Sequence, residues 1–150
     1  MLTGEFRVTI DEKGRILIPS RLRVEMDGDG LYVTRGLENC LWMFLPQGFE
    51  NLMRTIINGP GAVFNANRRL LQRNIISPAQ LCEIDRSGRI NIPPTLREFA
   101  KLELKEECTL LGSGTYLELW NTTAFDAYLT AMDPKFTQAA QEFGDTLGGV

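Results

Sequence analysis

Apolar and polar residues alternate near the start of the chain, where Arg7 and Thr9 separate Phe6, Val8 and Ile10. A period of two marks a strand with one buried face. Gly14 then permits the positive φ of a tight turn, and "RILI" at 15–18 predicts the returning strand of a hairpin. Pro19 has no amide for a ladder, so it ends that strand and suits the first turn of a short helix. "GLYVTRG" and "CLWMFL", rich in β-branched and aromatic residues, predict a second strand pair. After Pro46 the period changes. Phe49, Leu52, Met53, Ile56 and Ile57 recur at i, i+3, i+4, i+7 and i+8, the stripe of an amphipathic helix.

The pattern then starts again. "DEKGRILIPSRLR" (11–23) returns 74 residues later as "DRSGRINIPPTLR" (85–97), identical at eight of thirteen positions. With two residues inserted, "LWMFLPQGFENLM" (41–53) lies over "LELWNTTAFDAYL" (117–129), putting Phe44 on Trp120 and Phe49 on Phe125. Pro93 repeats Pro19, and Asn121 is placed to cap a second helix with Phe125, Tyr128, Leu129 and Met132 as its stripe. The chain therefore divides into a first unit (5–57), a helical linker (58–76), a second unit (77–132) and a tail (133–150). In the linker, Val63, Leu70 and Leu71 predict a helix whose outer face carries Arg68, Arg69 and Arg73, a solvated basic run. Asp133–Pro134 predicts a break, then a last helix with Phe136, Ala140 and Phe143 on one side, fraying into "GDTLGGV". The resulting class is α+β, mainly β.

Two units near 60 residues are each marginal alone, whereas one chain of 150 can share a single adequate core. No apolar run approaches a membrane span, and nothing at the N-terminus resembles a signal peptide, so a cytoplasmic chain is expected. Cys40, Cys82 and Cys108 are odd in number and lack a CxxC pair, which fits free thiols. Histidine is absent, removing the commonest general base and a common metal ligand. No P-loop, nucleophile elbow or metal-ligand spacing occurs. No cofactor, metal or catalytic residue is expected, and the chain is not expected to be an enzyme.

Net charge is −3, but it is unevenly spread. Residues 1–75 hold ten Lys/Arg against eight Asp/Glu, and residues 76–150 hold six against eleven. Twelve of the sixteen basic side chains are arginine, which suits phosphate and guanine. A local basic patch is compatible with an acidic whole.

The repeated strand, D-x-x-G-R turn, aliphatic strand ending in Ile-Pro and Arg-bearing helix resemble the AbrB-type swapped-hairpin module. Two copies in one chain of this length, the second with "LELW" and a helix, resemble the MraZ family. The likeness covers about residues 1–130; Leu2 and Ser77–Pro78 depart from the usual pattern outside the hairpin loops. The resemblance implies tandem SpoVT-AbrB-type swapped-hairpin barrel units intertwined about a pseudo-twofold. It also implies a nucleoid-associated homo-oligomer, ring-shaped, that regulates transcription from short repeated boxes upstream of its own division and cell-wall operon. Double-stranded DNA is then the partner. An AbrB-like antitoxin, which binds DNA and a toxin, is the competing class; its usual long disordered tail is replaced here by a second unit.

Asp11 and Asp85, each before a Gly-containing turn, are expected to bond their own backbone or the nearby arginine, with Gly14 and Gly88 completing the motif. Arg15 and Arg89 have two readings, as lock of the hairpin or as DNA contact; the resemblance favours DNA. Lys13 and Arg86 sit within the turns, and Arg7 lies on the polar face of the first strand; these three suit phosphate. Arg21, Arg23 and Arg97 follow the prolines and suit either phosphate or subunit salt bridges. The first loop's local charge is +2 over 5–23 against +1 over 79–97, so the first loop is expected to dominate binding.

Overall fold

Only Ile18 and Pro19 separate the three-residue "RIL" strand from the short helix that follows it. The computed structural model describes residues 1–26, 28 and 30–148. Its first half comprises β1 (Leu2–Thr9), β2 (Arg15–Leu17), α1 (Ser20–Arg23), β3 (Gly30–Arg35), β4 (Leu41–Phe44) and α2 (Pro46–Ile57). A 3₁₀ turn (Ala62–Phe64), α3 (Ala66–Leu71) and a π turn (Gln72–Ile76) link it to the second half. That half comprises β5 (Gln80–Glu83), β6 (Arg89–Asn91), α4 (Pro94–Phe99), β7 (Glu107–Gly114), β8 (Tyr116–Asn121) and α5 (Thr122–Thr146).

The strands exchange partners between halves. One antiparallel sheet runs β1-β7-β8-β4-β3-β5, so β1 completes the second unit's β7–β8 pair and β5 completes the first unit's β3–β4 pair. β2 pairs with β6 in a separate ribbon, with Ile16 opposite Ile90. The predicted return of "RILI" onto its own first strand is therefore corrected. Only turn bonds close that loop, with Gly14 N–H donating to the Asp11 carbonyl and Asp11 N–H to that of Arg15. The two ribbon ends are matched: Ile18 N–H donates to the Gly88 carbonyl, and Ile92 N–H to that of Gly14, both at 2.9 Å. The fold is α+β: helices accompany a six-stranded antiparallel sheet and a two-stranded ribbon, with strands exchanged between the two halves.

One core serves both units. Ile10, Ile16, Ile18 and Leu22 are buried with their counterparts Ile90, Ile92 and Leu96 against Leu31, Leu41, Leu110 and Leu119 of the sheet. Each such side chain contributes about 1.5–3 kcal/mol by leaving water. β4 meets β8 at the centre, where Phe44 stacks on Tyr116 at 5.2 Å between ring centroids.

Two predicted helices differ from expectation. Asn121 does cap α5, accepting from Ala124 N–H, but α5 continues through Pro134 and Gly144 to Thr146. A proline costs one helical hydrogen bond without ending the helix when neighbours such as Ala131 and Ala139 favour it. The last two residues of the expected fraying tail lie outside the described residues. In the linker, Arg68 does not face solvent freely: its guanidinium donates to the carbonyls of Thr55, Ile56 and Asn58 at the end of α2.

Candidate functional site

Alternation along a strand sends every second side chain outward. In β2 and β6, Ile16 and Ile90 point into the core, so Arg15, Leu17, Arg89 and Asn91 share the outer face of the ribbon. The register sets Arg15 opposite Asn91 and Leu17 opposite Arg89. An open groove of ≈ 740 Å³ runs along this face, with Arg7, Arg15, Leu17 and Arg89 among its lining. Lys13 and Arg86 are exposed at the two loop tips. Of the residues picked out from sequence, the fold thus gathers Arg7, Arg15 and Arg89 around one groove. Arg7 is also held by Glu107, with N–H donated to the carboxylate at 3.2 Å.

The aspartates organise the loops, as expected. One oxygen of Asp11 accepts from the amides of Lys13 and Arg15, and the other accepts from Arg15 Nε at 2.8 Å. Asp85 accepts from the amides of Ser87 and Arg89 and from the Ser87 hydroxyl. Both carboxyls are held below the usual carboxylate value. The Arg15 amide is the main cause for Asp11, and the Ser87 hydroxyl is for Asp85.

The two arginines, equivalent in sequence, are not equivalent in space. Arg15 binds Asp11 and also lies 3.9 Å from a carboxylate oxygen of Asp85, so it spans both loops. Arg89 donates instead to the neutral Ser87 hydroxyl at 3.1 Å. Ser87 stands where the first loop has Lys13, and no motif singles it out; a hydroxyl two residues after an Asp is the signal the sequence offers.

Gly14 and Gly88 have φ of 83° and 85°, the left-handed region that glycine tolerates. Each also lies under an arginine from the other unit. A Cβ on Gly14 would sit 3.0 Å from the Arg97 guanidinium carbon, and one on Gly88 would sit 2.5 Å from an Arg23 nitrogen. Arg97 Nε donates to the Ile92 carbonyl at 2.9 Å. Arg21 donates to the Thr3 carbonyl and stacks over Phe6 at 5.3 Å. Of the three helix arginines left open between phosphate and subunit contacts, Arg21 and Arg97 thus bond within the chain, whereas Arg23 lies against Gly88 with its Nε buried and without a hydrogen-bond partner among the described residues. No spacing in the sequence announces that crossing, because the contact joins residues of opposite units.

The family model described as "MraZ protein, putative antitoxin-like" matches twice, over residues 1–74 and 75–146. A relative from Treponema denticola named transcriptional regulator MraZ is 40% identical, covering 96% of this chain and 98% of its own length. Proteins of the same name from Treponema pallidum (strain Nichols) and Halothermothrix orenii are 37% and 34% identical. They cover 95% and 97% of this chain, and 94% and 98% of their own lengths. The two abutting matches coincide with the two swapped halves, and the relatives align over nearly the whole chain: it belongs to the MraZ family.

Proposed function

We propose that this chain is a sequence-specific DNA-binding transcriptional regulator, acting as a homo-oligomer on short repeated boxes in the promoter of its own operon. The observation that carries this reading is the β2–β6 ribbon, which turns Arg15 and Arg89 outward into one groove. The major groove admits a two-stranded ribbon, and paired arginine donors match guanine O6 and N7. Arg7, Lys13 and Arg86, flanking the ribbon, contact phosphate and set its position. Units 5–57 and 77–132 each supply one loop, with 58–76 as their link and 133–150 as the tail. The relatives' name supports regulation of transcription; action at the nucleoid is part of the proposal.

Assembly multiplies modest contacts. Phe64, Val63, Leu70, Phe136 and Phe143 are large apolar side chains left exposed on α5 and around the linker, surface of the kind another subunit covers. A ring of such chains sums its tips over repeated boxes.

We weight the second loop more heavily than local charge alone would. Local charge favours the first, yet Arg15 is already committed to carboxylates, whereas among the described residues the Arg89 guanidinium donates to a hydroxyl and no carboxylate. In gel shifts on the chain's own upstream region, Arg89→Ala is expected to weaken binding more than Arg15→Ala. Each lost base contact costs about 1–3 kcal/mol. Light scattering on the same samples is expected to report an assembly larger than a dimer for all three proteins. Upstream DNA bound no better than unrelated DNA by the wild type would refute the reading.

A further inference from the structure

The outer face of the ribbon contains one side chain that charge recognition does not need. Leu17 is 43% exposed, although its neighbours Ile16 and Ile18 are wholly buried. It lines the same groove as Arg15 and Arg89, and the register sets it directly across from Arg89. The corresponding place in the second unit is Asn91, which is exposed, lies across from Arg15 and donates to the Lys13 carbonyl at 3.2 Å.

The ribbon is therefore symmetric in backbone and unlike in chemistry at its two ends. One end pairs an apolar side chain with an arginine that, among the described residues, donates to a hydroxyl and no carboxylate. The other pairs an amide with an arginine bound by carboxylates. Among the groups that base pairs present in the major groove, the thymine 5-methyl is the one that an aliphatic side chain matches. Cross-strand neighbours stand about 5 Å apart at Cβ, and successive bases on one strand are about 3.4 Å apart. Arginine and leucine, extending to different lengths from such neighbouring positions, can reach adjacent bases.

We infer that Leu17 and Arg89 together read adjacent thymine and guanine bases, Leu17 meeting the thymine methyl, so that the chain engages each box in one orientation. This rests on the DNA-binding reading above and deepens it. A pseudo-symmetric protein with identical ends would bind either way round; one apolar end makes the two orientations unequal.

The test uses the full chain and its protected upstream region, with thymines replaced one at a time by deoxyuridine, which removes only the methyl. Wild type is expected to lose about fourfold in affinity at one position per box, the worth of one buried methyl group. Leu17→Asn, which copies the other end of the ribbon, is expected to bind thymine and deoxyuridine probes equally at that position. It should keep the wild-type melting temperature and assembly size, since Leu17 lies outside the core. Specific binding that ignores every deoxyuridine, or discrimination that survives in Leu17→Asn, overturns the inference while leaving DNA binding intact. A changed assembly size in Leu17→Asn overturns it in favour of a subunit contact. Absence of any preference for the upstream region removes the DNA reading itself, and this inference with it.

Discussion

Gly14 and Gly88 show how one residue can meet two demands at once. Each needs a positive φ, and each leaves space for an arginine that arrives from the opposite unit. Gly14→Ala and Gly88→Ala are each expected to lose about 1–2 kcal/mol from the backbone conformation alone. Denaturant titration checks this, and an unchanged midpoint would contradict the strain. The aspartates make a pH prediction. A carboxyl whose folded value is depressed lends stability above its unfolded value, and that stability disappears as pH falls through the folded value. Both loops should therefore hold at neutral pH and loosen only below about 3.8, the ordinary value for Asp. Amide NMR signals of Lys13 and Ser87 should titrate in that range, and Asp11→Asn and Asp85→Asn should abolish the respective transitions. The cysteines play no part in the site: burial pushes the Cys40 and Cys108 thiols up to about 12.

At the scale of elements, the decisive choice is the partner of each short strand. β2 has three residues, too few to support an independent hairpin, and it gains a ladder, a shared pair of isoleucines and two flanking amide bonds by joining β6. The basic linker makes a second lesson. Helix α2 ends in carbonyls without intrahelical partners, and Arg68 supplies one guanidinium nitrogen to three of them. Arg68→Ala is accordingly expected to cost about 1 kcal/mol. For a chain of this length that lowers Tm by about 3 °C. DNA affinity should be unaffected; a weaker gel shift with unchanged Tm would place Arg68 on the DNA instead.

For the molecule as a whole, exchange of β1 and β5 makes each half incomplete. A fragment spanning residues 1–58 leaves β1 without β7 and β2 without β6, and residues 77–150 suffer the mirror-image loss. Neither half is expected to melt cooperatively as a monomer by circular dichroism. A cooperative monomeric half would show that the units stand alone.

Much of this was legible in the residues. The repeat at an offset of 74, the glycine at each turn, the prolines that end each short strand and the Asp that binds its own loop all follow from local conformation. Phe49 and Ile56 are buried and Leu52, Met53 and Ile57 lie along the same helical face, as their spacing required. Other features depend on which surfaces meet. The alternation at Phe6, Val8 and Ile10 reports that a strand has a buried face, but not that its neighbour is β7, because a strand's hydrogen-bonding edges carry no side-chain pattern. Pro134 reads as a stop because local propensity opposes it; the structure shows a helix carrying through it. Arg15 and Arg89 are indistinguishable by motif. Asp85 lies within reach of the Arg15 guanidinium, while the Arg89 guanidinium donates to the Ser87 hydroxyl, because the folded ribbon sets the loops side by side and charges interact through space rather than along the chain.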